Sequence, residues 1–135
     1  ADYVEIQKRK LNENMWREAE KEYREEDDLI WEPVRKDGKM NLMNKETGEY
    51  LSGEWFNWCG YMDQGISVVR NDENKYNYLK NDGTLLLDDW YDDCEEFKDG
   101  KGRIVYDEFV DGQYQVFYNY VDRNGNILGD WEVNE

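Results

Sequence analysis

The amino-acid sequence predicts a mainly β protein, built of about two and a half tandem, stacked β-hairpin repeats with an N-terminal α-helix packed as a cap. Three observations predict this fold. The first residues show a helical pattern of apolar and charged positions. From Pro33 onward, short runs of β-type residues alternate with turn dipeptides such as Asp-Gly and Asn-Gly. Two of these runs recur in similar form along the chain, which is typical of a repeat architecture.

A helix is predicted over residues 2 to about 27. Asp2 and Glu5 resemble a capping box, in which each side chain accepts a hydrogen bond from the other residue's backbone N–H. Apolar residues then recur at every fourth position, namely Leu11, Met15, Ala19 and Tyr23. This narrow stripe predicts that one side of the helix packs on the rest of the chain, while its charged sides face solvent.

Pro33, the single proline, marks the end of the helical region because it disfavours helical backbone at Glu32. We therefore expect residues 1–33 to form the acidic helix and its connector. Residues 34–135 are expected to form the β-repeat domain as one cooperative unit, since a chain of 135 residues is too short for two well-buried cores.

The repeat begins with a hairpin-like run. Residues 76–86, YNYLKNDGTLL, recur as residues 118–128, YNYVDRNGNIL, and in a more diverged form as residues 40–51, MNLMNKETGEYL. Each copy is predicted to be strand, turn, strand, because Asn and Gly tolerate the positive φ of tight hairpin turns. The longer spacing of the last copy is expected to absorb an insertion around residues 108–113.

A second run follows each hairpin. Residues 55–61 precede residues 63–69, and thirty-five positions on, residues 90–97 precede residues 99–105, with Trp and Cys in register. Trp131 begins a third such run. Stacking of neighbouring units would bury the aromatic side chains that a single hairpin leaves exposed to solvent.

Residues 38–135 resemble the WG-repeat family, whose hairpin reads aromatic-Gly-aromatic-Ile-Asp-x-x-Gly and is followed by an aromatic-Asp-x-Ala-x-x-Phe-x-x-Gly segment. The match is close over residues 76–105: Tyr76-Asn77-Tyr78-Leu79, Asp82-Gly83, Trp90-Tyr91-Asp92-Asp93-Cys94, Phe97, Gly100 and Val105 follow in order. The signature glycine is replaced by Asn41, Asn77 and Asn119, so the backbone there should accept Asn in place of Gly. The resemblance implies a β-rich hairpin array in bacteria or their phages, and no defined activity.

Composition narrows the class of protein. Aromatic residues make up 16% of the chain, which favours a folded domain over a disordered one. No apolar run approaches the roughly 20 residues that span a bilayer. The N-terminus lacks the pattern of a signal peptide, and only two cysteines are present, so a cytoplasmic location in a bacterium or an infected bacterium is expected, with secretion still open.

The chain offers little catalytic chemistry. It contains no histidine, which removes the usual general base and the His-dependent nucleophile pairs. Cys59 and Cys94 occupy equivalent repeat positions and are expected to be buried, unreactive thiols. Asp122, Asn124 and Asn126 alternate as in a calcium loop, but Gly and Glu are missing at the later positions, which predicts a hairpin turn. We expect no enzyme activity, cofactor or metal.

Acidity is the strongest functional signal. The net charge is −16, and residues 37–135 hold 22 acids against 9 bases. Seven acids fall within twelve residues and form what we call the acidic face: Asp88, Asp89, Asp92, Asp93, Glu95, Glu96 and Asp99. Such a surface repels nucleic acid and anionic lipid and attracts a protein with a basic surface. An inhibitor or immunity-type protein that imitates phosphates, directed at a nuclease or a defence complex, is therefore predicted.

Three other interpretations of the sequence stay open. The acidity can serve only to keep an aromatic-rich protein soluble. The six Trp and eleven Tyr residues can form a carbohydrate- or surface-binding module, although stacked hairpins are expected to bury most of them. The repeats can also be structural and mediate assembly.

Overall fold

The structure, a computed structural model, describes residues 26–133. The capping box and apolar stripe predicted at the N-terminus lie outside the described residues. The described part begins with one helical turn, α1 (Glu26–Leu29). Among the described residues, no helix has the length and apolarity needed to cross a bilayer.

The prediction of a mainly β fold is confirmed. The strands follow α1 in the order β1 (Trp31–Lys36), β2 (Lys39–Asn44), β3 (Trp58–Cys59), β4 (Ile66–Arg70), β5 (Tyr76–Lys80), β6 (Asp93–Cys94), β7 (Lys101–Val110), β8 (Gln113–Asp122) and β9 (Glu132–Val133). They form three antiparallel sheets in which chain neighbours pair: β1-β2, β3-β4-β5 and β6-β7-β8-β9.

The middle sheet is covered on both faces, because neighbouring side chains of a strand point to opposite sides. On β4, Val68 faces one apolar cluster and Val69 faces the other, and on β5 Tyr78 and Leu79 divide in the same way. The first cluster joins the middle and four-stranded sheets: Ile66, Val68, Tyr78, Leu87, Cys94, Phe97, Ile104 and Val121. The second joins the middle and two-stranded sheets: Leu42, Phe56, Cys59, Met62, Val69 and Leu79.

The predicted hairpins differ from the observed ones in their second arm. After each turn the second arm forms a single bridge to the first, at Met43↔Tyr50, Leu79↔Leu85 and Val121↔Ile127. The long ladders instead join each first arm to the strand before it, as in β4-β5 and β7-β8. The prediction of strand, turn, strand is therefore correct for the first strand and the turn, and wrong for the second strand.

Buried asparagines explain why the second arm leaves the ladder. Asn77 Oδ1 accepts hydrogen bonds from the N–H groups of Tyr78 at 2.7 Å and Leu87 at 3.1 Å, while its Nδ2 donates to the Leu87 carbonyl at 2.9 Å. These bonds draw the chain after the turn toward the start of β5. Asn41 binds Leu42 and Ser52 in the same way, and Asn119 binds Tyr120 and Gly129.

The connector before the repeats is part of the fold. Strand β1 runs across the boundary predicted between residues 33 and 34, with Pro33 on the outer strand of its sheet. Asp28 of α1 is buried, and its carboxylate accepts hydrogen bonds from the N–H groups of Gln64 at 2.8 Å and Gly65 at 2.9 Å. These two hydrogen bonds fix α1 to the turn that leads into β4.

Candidate interaction surface

The acidic face follows the short strand β6 and its flanks. Five of its carboxylates are exposed and make no ion pair within residues 26–133: Asp88, Asp89, Asp93, Glu96 and Asp99. The other two, Asp92 and Glu95, are engaged by neighbouring groups. The predicted site residues therefore divide into carboxylates that make no ion pair with the described residues and carboxylates that already bind a neighbouring group.

Asp92 belongs to the second kind. Its side chain is half-buried, forms an ion pair with Lys75, and accepts a 2.7 Å hydrogen bond from the backbone N–H of Asp107. Partial burial opposes ionisation, but the hydrogen bonds from Lys75 and Asp107 outweigh it and lower the pKa of Asp92. Asp92 directly precedes β6, and its side chain thus connects the segment just before β5 to β7.

Glu95 binds Arg103 of β7 at 2.8 Å, and the Arg103 guanidinium also lies 4.7 Å from the centre of the Tyr118 ring. The pair is partly exposed, so it contributes little to stability. Beside it, partial burial and the charge of Glu95 raise the pKa of Asp93.

An open groove of about 740 Å³ brings part of the acidic face together with residues from the middle sheet. Three members of the face line it: Asp93, Glu95 and Glu96. Aromatic rings come from Trp58 and Tyr76, and one more carboxylate comes from Asp63. The bases Arg70 and Lys98 also line the groove. A guanidinium or ammonium group can stack on an exposed indole there while carboxylates accept its hydrogen bonds.

Sequence reasoning missed Trp58 as a site residue. Trp58 stands immediately before Cys59 in β3, as Asp93 stands immediately before Cys94 in β6. Because each Cys is buried, the residue before it points outward, and Trp58 retains 38% of its surface exposed. The sequence signal that could have identified Trp58 was the shared repeat position of the two cysteines, because it places Trp58 and Asp93 at equivalent positions. Asp88, Asp89 and Asp99 do not line this groove.

The predicted burial of both thiols is confirmed. Cys59 and Cys94 are free and almost inaccessible, at 2% and 3% exposure. Burial raises the pKa of Cys59 to about 12 and raises that of Cys94 as well. Neither group is a thiolate at neutral pH.

The alternating Asp122, Asn124 and Asn126 form a turn, as predicted. Asp122 Oδ1 accepts the backbone N–H groups of Asn124 and Asn126, each at 2.9 Å, and these hydrogen bonds lower the pKa of Asp122. Within residues 26–133, no three carboxylate or thiol side chains are grouped to hold a metal ion.

The insertion predicted around residues 108–113 lengthens one hairpin. Strands β7 and β8 each have ten residues, whereas β4 and β5 have five. Among the described residues, β6 pairs with β7 only at Ile104 and Val105, and β9 pairs with β8 only at Phe117 and Tyr118. Residues 106–116 therefore extend beyond β6 and β9 as a two-stranded hairpin, which we call the arm.

Comparison of the chain with protein-family models, curated proteins and solved structures found no match. The resemblance to WG repeats remains a prediction.

Proposed function

We propose that this chain is a non-enzymatic, acidic protein-binding module that docks the basic surface of another protein. In this proposal it acts as an inhibitor or an immunity-type protein, and its carboxylates occupy positions that nucleic-acid phosphates take on the partner. The observation that carries the proposal is the groove in which Asp93 and Glu96, which make no ion pair with any residue that the structure describes, lie beside Trp58. An excess of exposed acids speeds association with a basic partner, and the indole adds a contact that charge alone does not provide.

The proposal includes a tandem-repeat scaffold of the WG type. It is supported by the three asparagines, which stand 36 and 42 residues apart and make equivalent hydrogen bonds. The turn glycines add support. A Cβ on Gly83 would lie 2.6 Å from the Leu51 carbonyl oxygen, and one on Gly125 would lie 2.8 Å from that of Leu86. Leu51 and Leu86 end equivalent runs, so each turn packs on the unit before it in the same way.

The test reverses charge in the groove and nowhere else. In the variant D93K/E96K we expect binding to a soluble peptide of Lys and Ser to weaken by at least about tenfold, because two attractive contacts become repulsive. Asp92 stays unchanged because its side chain supports the fold, and Glu95 stays unchanged because it is already paired with Arg103. Affinity is measured by fluorescence anisotropy of the labelled peptide at two salt concentrations.

The matched control is E46K/E49K, which changes the net charge equally on exposed residues that do not line the groove. If both variants lose the same affinity, net charge and not the acidic face governs binding, and the proposed site is wrong. If the wild-type protein does not bind the peptide even at low salt, the proposed protein-binding function is refuted.

A further inference from the structure

The arm carries two large rings at its end. Phe109 of β7 and Tyr114 of β8 are cross-strand partners, and their ring centres lie 5.5 Å apart in an edge-to-face arrangement. Phe109 is 73% exposed and Tyr114 59% exposed. Their contact with each other leaves most of both rings in water, so the core explains neither of them.

Aromatic side chains pack against one another at the base of the arm. Tyr106 and Phe117 stack with ring centres 5.0 Å apart, and Tyr106 also meets Trp131 edge to face at 4.7 Å. Closer to the tip, the Tyr114 hydroxyl donates to the Asp107 carboxylate, while the Asp107 N–H donates to Asp92. These contacts support the position of the tip rings, and a side chain that is already ordered loses less entropy on binding.

Charge around the tip is of one sign. Residues 106–116 contain three acids, Asp107, Glu108 and Asp111, and no Lys or Arg. A surface that complements this arm therefore offers an apolar pocket with basic residues around it. A second copy of the chain, with its charge of −16, repels such a tip.

We propose that Phe109 and Tyr114 form an anchor that inserts into an apolar pocket with a basic rim on the partner protein. This inference rests on the proposed function and adds a second contact to it, outside the groove. Aromatic residues at the centre of an interface commonly supply much of its binding energy, and acids around them select for basic partners.

Two peptides of equal charge separate the anchor from simple electrostatics. One is a short amphipathic helix of Leu and Lys, with an apolar face beside a basic one, and the other has Ser in place of every Leu. We expect wild-type protein to bind the Leu-Lys peptide more tightly than the Ser-Lys peptide. In F109S/Y114S that preference should fall by at least about tenfold, while affinity for the Ser-Lys peptide is retained.

A matched control compares two single variants, F109S and Y61S. Tyr61 is also highly exposed, at 82%, but it lies outside the arm. Unchanged Leu-Lys affinity in F109S/Y114S would overturn the anchor while leaving the proposed function intact. Failure of the wild type to bind either peptide would refute both proposals. Two further outcomes would also overturn the anchor. One is dimerisation that depends on the arm, which sedimentation velocity measures. The other is binding of phosphatidylcholine vesicles in place of the peptide, which vesicle flotation measures.

Discussion

The Oδ2 atom of Asp92 lies 2.7 Å from the backbone nitrogen of Asp107 and accepts its hydrogen bond. One carboxylate of the acidic face thereby holds the base of the arm, and through Lys75 it also holds the segment just before β5. The acidic face and the arm are therefore mechanically connected. A change at Asp92 would disturb both, which makes this residue unsuitable for testing either contact.

We expect D92A to lower the free energy of unfolding by about 1–2 kcal/mol, because it leaves the Asp107 N–H without its acceptor and removes the ion pair with Lys75. Urea unfolding measures the loss, and hydrogen exchange should show faster exchange at the Asp107 amide. D89A is the control, since the Asp89 carboxylate is exposed and unpaired within the described chain. Equal stability of the two variants would contradict this role.

The same carboxylate predicts a pH dependence. The folded-state pKa of Asp92 is lowered, so the folded state holds this proton less tightly than the unfolded state does. Its stabilisation is complete above the unfolded pKa of about 3.9 and is lost as the pH falls through the lower folded value. We expect D92N to lose less stability than the wild type between about pH 5 and pH 2. Parallel curves in urea melts across that range would refute the assignment.

Substitution of Asn77 should lower the stability of the fold more than substitution at most other positions. N77A removes four hydrogen bonds, at 2.7, 2.9, 3.1 and 3.4 Å, in a fully buried site, so we expect a loss of about 2–4 kcal/mol. N77G should be equally damaging, although Gly is the WG-family residue, because the side-chain amide is what holds Leu87. N124A is the control, since Asn124 is exposed; thermal melts compare the three variants. Mild destabilisation by N77G would show that the backbone alone shapes this turn.

Gly102 lies where the strands allow no side chain. A Cβ there would lie 2.4 Å from Tyr78 Oη and 2.8 Å from the Phe97 ring, both within the first core cluster. We expect G102A to cost about 1–3 kcal/mol, because Tyr78 and Phe97 must shift within a packed core. Gly53, which has no atom within 4 Å of the corresponding point, provides G53A as a control. Calorimetry of both variants decides the matter, and a G102A protein as stable as G53A would be contrary evidence.

The thiols provide a test of core closure. Because burial raises the pKa of Cys59 to about 12 and also raises that of Cys94, neither should react with iodoacetamide at pH 8 in the native state. Both should react fully in denaturant. Mass spectrometry of the labelled protein counts the modified thiols, and rapid native labelling of either cysteine would be inconsistent with its place in the core.

Part of the candidate surface could be predicted from the sequence. The seven acids of the acidic face are visible as a cluster, and the burial of Cys59 and Cys94 followed from their shared repeat position. The groove was not predictable, because Trp58 and Asp63 line the same groove as Glu96 only after the chain folds and brings these distant segments together. The roles of Asn41, Asn77 and Asn119 were also hidden, since the sequence marks them only as departures from glycine.

Local patterns by themselves determined the strand-forming runs, the turns at Gly83 and Gly125, and the excess of negative charge, because each depends on neighbouring residues or on composition. Only the tertiary structure decided which acids pair with other described residues and which do not. Asp93 and Asp92 are adjacent and chemically identical, yet one side chain lines the open groove while the other is held by Lys75 and Asp107. Side chains alternate across a strand, so the partner of each carboxylate depends on which distant strand covers its face.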